Sequence, residues 1–199
     1  MCGIVGYIGN NDAQKIILDG LTNLEYRGYD SAGIALVKDN SINIFKDKGR
    51  VEHLRDIINM DGISHIGIGH TRWATHGEPN KINSHPHISN SGRFVLVHNG
   101  VIENYKKLKN LKLNDYKFYS ETDSEVIVNL IEHYVLDKKM TVESAIRKTM
   151  VKLDGSYALL ILDRDNLDRI YVAKNKTPML IGISDDGMIM ASDTAPLIG

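Results

Sequence analysis

The sequence begins Met1-Cys2-Gly3-Ile4-Val5-Gly6, and its only cysteine stands directly before an apolar run that extends to Ile8. This run, interrupted by Gly6, predicts a β-strand. If Met1 is removed, Cys2 carries both a thiol and a free α-amine. An α-amine titrates at about 7.7–8.0 and can accept the thiol proton at neutral pH. One residue can therefore supply a nucleophile and its base, although a lone cysteine is more often a small buried apolar residue.

Short strand patterns dominate both ends of the chain, and helical patterns lie between them. The predicted strands are 4–8, 32–37, 42–45, 66–69, 94–97, 157–162, 170–173, 179–183 and 188–191. Helices are predicted over 12–24, 51–58 and 103–111, after Thr122 and Glu125, which have capping-box spacing, and after Thr141. Short links between successive strands favour antiparallel pairing. This order predicts a single α+β domain over 1–199, with sheets packed face to face and helices outside.

The bulk properties of the chain exclude several classes of protein. Its 199 residues can bury the core of one sizeable domain. A net charge of −1 argues against a nucleic-acid-binding surface. No stretch approaches the roughly 18 apolar residues that span a bilayer, and the N-terminus lacks the features of a secretory signal. One cysteine cannot form an internal disulfide, so we expect a protein of the reducing cytoplasm. From the charge and the lack of a long apolar stretch, we expect that it binds neither nucleic acid nor membrane.

A polar segment, His70-Thr71-Arg72-Trp73-Ala74-Thr75-His76-Gly77, follows the predicted strand 66–69. The guanidinium of Arg72 can bind a carboxylate through two parallel hydrogen bonds, or it can form a surface salt bridge. Trp73 is either an anchor in the core or at its rim, or a wall that keeps water from a reactive site. Thr75 and His76 are candidates for ligand contacts, with a turn hydroxyl and a structural histidine as the simpler interpretations.

A second polar segment, His98-Asn99-Gly100, ends the predicted strand 94–97. Asn-Gly is a common hairpin turn, which is the simplest interpretation. Alternatively, the side-chain amide of Asn99 and the backbone N–H of Gly100 can point at one spot and stabilise a negatively charged oxygen.

Asp123 stands at the start of a predicted helix. It can offset the helix dipole there, or it can bind a ligand ammonium group. Since an amino acid displays one carboxylate and one ammonium, Arg72 and Asp123 at a suitable separation would recognise both. The loop 26–33 contains two glycines and several polar residues, which indicates close backbone approach, although by itself it is an ordinary helix-to-strand loop.

Several histidines within one stretch of chain raise a transition-metal site as a rival hypothesis. They are His70, His76, His85, His87 and His98. Their spacing matches no standard ligand pattern, and Cys2 is far away in sequence. We therefore expect neither a metal nor another cofactor.

Taken together, Cys2-Gly3-Ile4, Arg72, Asn99-Gly100 and Asp123 resemble the class II glutamine amidotransferases, which are N-terminal-nucleophile hydrolases. Longer segments are similar to the glutaminase domain of the glutamine–fructose-6-phosphate aminotransferases, also called glucosamine-6-phosphate synthases. These segments are 24–35, 69–77, 84–87, 97–105 and 121–127. The similarity extends to about Asp193, and it implies a four-layer αββα sandwich of two antiparallel sheets.

The resemblance also implies a role for each residue of the site. Cys2 would attack the side-chain amide of L-glutamine while its own α-amine relays the proton. Asn99 and Gly100 would form the oxyanion hole, and Arg72 and Asp123 would hold the glutamine carboxylate and amine. The pocket would further be lined by Trp73, Thr75, His76 and Gly28. A loop that helps to cover the site when the second substrate is present would contain Arg27 and Tyr29.

Enzymes of this family continue into two sugar-isomerase domains. Those domains bind fructose 6-phosphate, supply the contact of a homodimer and receive ammonia through an internal channel. Since these 199 residues contain neither domain, we expect an excised or truncated domain that hydrolyses glutamine but does not make the amino sugar alone. The alternative is a non-catalytic glutamine-binding regulatory module, which would keep Arg72 and Asp123 but would not need the free amine.

Overall fold

The computed structural model describes residues 2–74 and 77–197, which form two antiparallel sheets with helices on both outer faces. The first sheet has the strand order β3-β2-β4-β1-β10-β9, and the second has the order β5-β6-β7-β8. The strands are β1 (Gly3–Gly9), β2 (Ser31–Lys38), β3 (Ser41–Lys48), β4 (Ile66–Arg72), β5 (His87–Ile88), β6 (Phe94–Ile102), β7 (Gly155–Asp163), β8 (Asn166–Asn175), β9 (Leu180–Ser184) and β10 (Gly187–Ala191). The α-helices are α1 (Ala13–Asn23), α2 (Val51–Ile57), α3 (Tyr105–Lys112), α4 (Asp123–Leu136) and α5 (Val142–Lys152).

Three apolar layers hold these elements together. One layer lies between the first sheet and helices α1 and α2, and it includes Ile17 and Leu36. The central layer lies between the two sheets and includes Ile68 and Leu160. In the third layer, α3, α4 and α5 pack on the second sheet around residues such as Ile127. The predicted α+β sandwich with four layers, αββα, is therefore confirmed.

The helix starts agree only in part with the predicted caps. The side chain of Thr141 accepts a hydrogen bond from Ser144 N at 3.3 Å and caps α5, as its position predicts. Thr122 is the N-cap residue of α4 but makes no side-chain capping bond. Instead of closing a capping box, Glu125 accepts hydrogen bonds from the backbone N–H groups of Tyr119 and Ser120, at 2.9 and 2.7 Å. The capping-box prediction at α4 was wrong, because the Glu125 carboxylate accepts hydrogen bonds from the preceding loop and not from the N-cap residue.

The Asn99-Gly100 dipeptide does not form the hairpin turn that its sequence favours. Strand β6 passes straight through it and ends at Ile102, with Gly100 opposite Tyr157 of β7. The following helix begins at Tyr105, two residues later than predicted. The sequence analysis also missed β5, which is only two residues long. None of the helices in the described part of the chain is long and apolar enough to cross a lipid bilayer.

Candidate active site

Three strands bring candidate residues to one end of the space between the sheets. Cys2 directly precedes β1, Arg72 ends β4 and Asn99 lies in β6. Because side chains alternate along a strand, residues an even number of positions apart share a face. Each candidate lies two or four positions from an apolar residue of the central layer, and these residues are Ile4, Ile68 and Val97. The fold therefore directs all three polar side chains toward one region, although they are far apart in sequence.

The thiol of Cys2 lies against the backbone of the β4 end. The N–H of Trp73 donates to Cys2 Sγ at 3.3 Å, and Sγ lies 3.6 Å from the carbonyl oxygen of the same residue. Burial raises the pKa of the Cys2 thiol, while the Trp73 N–H and the Arg72 guanidinium oppose that shift. Since desolvation dominates, the thiol keeps its proton near neutral pH and needs a base before it can react.

Asn99 and Gly100 line the same cavity as Cys2. The side-chain Nδ2 of Asn99 donates to the carbonyl oxygen of Cys2 at 3.0 Å. Because a primary amide carries two N–H bonds, one donor remains for a bound molecule. Gly100 has a φ of +127°, and a Cβ at this position would collide with the carbonyl of Ser156. Only glycine allows β6 to keep its pairing with β7 here.

Arg72 and Asp123 are both charged and buried, with 4% and 5% of their surfaces exposed. The guanidinium of Arg72 donates to the carbonyl oxygens of Gly77 at 3.1 Å and Glu78 at 3.3 Å. Asp123 is the first residue of α4, and its Oδ2 accepts a hydrogen bond from Ile102 N at 2.7 Å. Both side chains line one small cavity together with Cys2. A cation and an anion thus flank the thiol from two different layers of the sandwich.

Cys2 also lines a second, larger cavity of about 400 Å³. Its walls include Arg27, Val101 and the segment from Lys176 to Pro178. The sequence analysis did not single out this segment. The signal is structural, since Lys176 directly follows β8, has a φ of +64° and lines the same cavity as Cys2. Cys2 therefore lines both a small polar cavity and a larger, more apolar one.

The loop before β2 contributes Arg27 to the wall of the larger cavity that Cys2 also lines. Arg27 forms an ion pair with Asp193, with 2.5 Å between Nη1 and Oδ2. The ring of Tyr29 meets that of Trp73 edge to face, with centroids 6.1 Å apart, and the Arg50 guanidinium lies 4.5 Å from the Tyr29 ring centroid. This loop thus joins the rim of the site to the C-terminal segment.

Gly28 belongs to the same loop, and its lack of a side chain allows the loop backbone to lie close to the backbone of Arg72 and Trp73. A Cβ at this position would lie 2.8 Å from Trp73 N and 2.9 Å from the carbonyl carbon of Arg72. Asp30 secures the next turn of the loop by accepting a hydrogen bond from Ala74 N. Thr75 and His76, which the sequence also nominates, lie outside the described residues.

Four of the histidines considered as metal ligands form a buried cluster beneath the site, and they are His70, His85, His87 and His98. The rings of His70 and His85 stack with centroids 4.0 Å apart. Burial lowers the pKa of all four imidazoles, and that of His70 falls to about 3. Over residues 2–74 and 77–197, no group of three or more His, Cys, Asp or Glu side chains is arranged to hold a metal ion. The described histidines bond to protein groups instead.

A family model described as a glutamine amidotransferase domain matches residues 70–198. The chain belongs to this family. The curated relatives of the amidotransferase domain include the glutamine–fructose-6-phosphate aminotransferases [isomerizing] of Halalkalibacterium halodurans and Bacillus subtilis, each 53% identical over 198 residues. Each alignment covers 100% of this chain and 33% of the relative. The chain therefore spans about a third of the length of these relatives.

Solved structures confirm the fold of the amidotransferase domain. The glutamine phosphoribosylpyrophosphate amidotransferase from B. subtilis, in complex with ADP and GMP, superposes with a TM-score of 0.85 at 27% sequence identity. The superposition covers 98% of this chain and 43% of that enzyme. The two-sheet arrangement is thus shared with an N-terminal-nucleophile amidotransferase of much lower sequence similarity.

Proposed function

We propose that this domain hydrolyses the side-chain amide of L-glutamine to glutamate and ammonia, with Cys2 as the nucleophile. The observation that carries the proposal is the meeting of Cys2, Asn99, Arg72 and Asp123 at one end of the inter-sheet space. Family membership supports the same reaction.

Arg72 and Asp123, the two buried charged residues of the site, recognise the glutamine backbone. The planar guanidinium of Arg72 binds the α-carboxylate through paired hydrogen bonds, and Asp123 accepts the α-ammonium. Trp73, Thr75, His76 and Gly28 complete the pocket, while Arg27 and Tyr29 belong to the loop that covers it. The buried setting strengthens both charge contacts, because water screens them little.

The chemistry needs Cys2 to be the first residue, after removal of Met1. The free α-amine takes the thiol proton, and Sγ attacks the amide carbon of the glutamine side chain. Asn99 Nδ2 and Gly100 N–H stabilise the negatively charged oxygen of the tetrahedral intermediate, a contribution worth about 10²–10³ in rate for one donor. The protonated amine then gives its proton to the leaving nitrogen, and ammonia departs. Water hydrolyses the remaining thioester to glutamate and restores the thiol.

The longer relatives suggest the setting of this reaction. We propose that residues 1–199 form one domain of a protein whose C-terminal isomerase domains bind fructose 6-phosphate and use the ammonia to form glucosamine 6-phosphate. Identity of 53% to the aminotransferases of two bacteria supports this assignment. A homodimeric full-length protein in the cytoplasm fits the same assignment, and a reducing compartment would keep the Cys2 thiol free.

The test compares purified protein with and without Met1, each verified by intact mass. We expect the processed protein to release ammonia from glutamine, and the protein that retains Met1 to be inactive because its sulfur lacks the adjacent amine. Cys2→Ala in the processed form should abolish ammonia release while the circular dichroism spectrum and Tm stay unchanged. Substantial residual activity in Cys2→Ala would reject the mechanism. Glutamine binding without ammonia release from processed wild-type protein would favour the regulatory-module alternative.

A further inference from the structure

The second sheet leaves part of β6 unpaired beside the active site. Strand β5 pairs with β6 only through His87 opposite Leu96 and Ile88 opposite Val95. Continuing this register by two residues brings His85 opposite His98, where β5 has ended. A buried strand residue whose N–H and C=O lack partners costs free energy, so these groups must be satisfied in another way.

Imidazole side chains take the place of the missing strand. The backbone N–H of His98 donates to Nδ1 of His85 at 3.2 Å. The backbone carbonyl of His98 accepts a hydrogen bond from Nε2 of His70 at 3.0 Å. Both backbone groups of the residue that precedes Asn99 are therefore fixed by side chains from two other segments of the chain.

Ser124 closes these contacts into a ring. Its Oγ lies 3.3 Å from His85 Nε2 and 2.9 Å from His98 Nδ1. Because His85 Nδ1 accepts the backbone N–H, the proton of the neutral imidazole is on Nε2 and donates to the serine oxygen. The serine hydroxyl can then donate to His98 Nδ1. Each partner thereby has one defined role, and all three residues are at most 5% exposed.

The His85 loop is itself anchored from the first sheet. Lys46 of β3 donates from Nζ to the carbonyl oxygens of Ser84 at 2.7 Å and Pro86 at 2.9 Å. The carbonyl oxygen of His85 packs so closely on Gly33 that a Cβ there would collide with it. The ring of side chains thus spans the first sheet, the second sheet and helix α4.

We infer that His85, Ser124, His98 and His70 form a positioning network for glutamine hydrolysis. The network holds His98 next to the oxyanion donors Asn99 and Gly100, and it ties that backbone to Ser124, which directly follows Asp123. The site that binds the substrate ammonium and the site that stabilises the oxyanion are therefore held in one geometry. This inference rests on the proposed glutaminase function.

Ser124→Ala in the processed protein tests the network, because it removes the hydroxyl that joins the two histidines. We expect kcat for glutamine hydrolysis to fall about 10–100-fold. An oxyanion donor stabilises only the transition state, so a displaced donor lowers kcat rather than substrate affinity. KM should change less than about 3-fold, because Arg72 and Asp123 remain in place. Alkylation of Cys2 by iodoacetamide should keep its rate, because displacement of iodide by the sulfur forms no oxyanion.

Two further variants separate positioning from general stability. Ser64→Ala removes another buried hydroxyl, whose Oγ lies 2.9 Å from the carbonyl oxygen of Val37 and 3.0 Å from that of Ile66. This variant should lower Tm without changing kcat. Ser124→Thr retains the hydroxyl and should recover most of the lost kcat. An unchanged kcat in Ser124→Ala, an equal loss of alkylation rate, or no recovery in a folded Ser124→Thr protein would overturn the inference. Absence of glutaminase activity in processed wild-type protein would instead refute the proposed function.

Discussion

Burial changes the acidity of the Cys2 thiol, on which the proposed reaction depends. The thiol is less acidic than usual because desolvation outweighs the nearby Arg72 charge and the Trp73 N–H. An adjacent amine is a suitable base for such a thiol, since it titrates close to neutral pH. The reactivity proposed here therefore depends on the backbone nitrogen of Cys2 rather than on a spontaneously ionised sulfur.

Arg72→Lys should raise the KM for glutamine about 10–100-fold with little change in kcat. Lysine keeps the positive charge but loses the paired hydrogen bonds, and a hydrogen bond to a charged group contributes about 1.5–3 kcal/mol. Steady-state ammonia release over a range of glutamine concentrations measures both constants. Arg55→Lys, at a partly exposed ion pair with Asp19, is the matched control and should leave KM unchanged. An unaltered KM in Arg72→Lys would show that Arg72 does not bind the carboxylate.

Strand β6 illustrates how an element can override its local sequence. Asn-Gly favours a tight turn, but nine consecutive residues of β6 pair with β7 from Phe94 to Ile102. The positive φ of Gly100 is accommodated inside this strand without any shift in its register with β7. Gly100 is thereby placed in the wall of the two cavities that Cys2 also lines, instead of at a loop tip.

Gly100→Ala should destabilise the fold by about 1–3 kcal/mol, because an alanine is strained at this φ and its Cβ meets the Ser156 carbonyl. Urea unfolding monitored by circular dichroism measures the change. Gly182→Ala in β9 is the control, since its φ is not in the left-handed region and its nearest neighbours, at 3.1 Å and beyond, are ends of side chains. Equal stability losses in the two variants would argue against strain at Gly100.

The molecule as a whole buries a group of histidines that the mechanism requires to be neutral. They lie at the junction of the first sheet, the second sheet and α4, and they form hydrogen bonds with backbone groups and with the hydroxyls of Ser124 and Thr122. Thr122 Oγ1, 3.1 Å from His87 Nε2, adds another tie between α4 and this junction. Protonation of any of these imidazoles would place a charge in the core, where desolvation disfavours it.

Folding stability should therefore decrease as the pH falls below about 6.5, the value at which an unfolded histidine titrates. The folded-state pKa values of His70, His85, His87 and His98 are lowered by burial, so the unfolded chain binds more protons in acid. Their contribution is fully present above that pH and is lost progressively toward the folded-state value of about 3 for His70. His70, His85 and His87 should each lower the stability by roughly 1 kcal/mol between pH 6.5 and 5.5, because their folded-state pKa values lie well below this range.

Urea unfolding at pH 7.5, 6.5 and 5.5 measures this dependence. A His87→Gln variant lacks one of the titrating side chains, so its stability should change less steeply with pH than that of the wild-type protein. A stability that stays constant over this range would mean that these histidines are not held neutral in the folded protein.

The spacing of the strands along the sequence does not predict which of the two sheets each strand joins. β7 and β8 form a hairpin in the second sheet, whereas β9 and β10 form one in the first. All four have similar turn signals between them, and local patterns contain no information about which apolar face packs against which sheet. That choice follows from burial of the central layer as a whole.

The sequence by itself determined the helices and the strands except β5, together with the chemical types of the side chains at the site. Period-two apolar runs and turn residues specify strands locally, and the side chains of Cys2, Arg72 and Asp123 have the required chemistry wherever they are placed. Only the tertiary structure decided that Asn99-Gly100 continues a strand, that Glu125 caps a loop rather than a helix, and that imidazoles complete the edge of β6. These outcomes depend on buried backbone groups that find partners distant in sequence, and no local pattern specifies such partners.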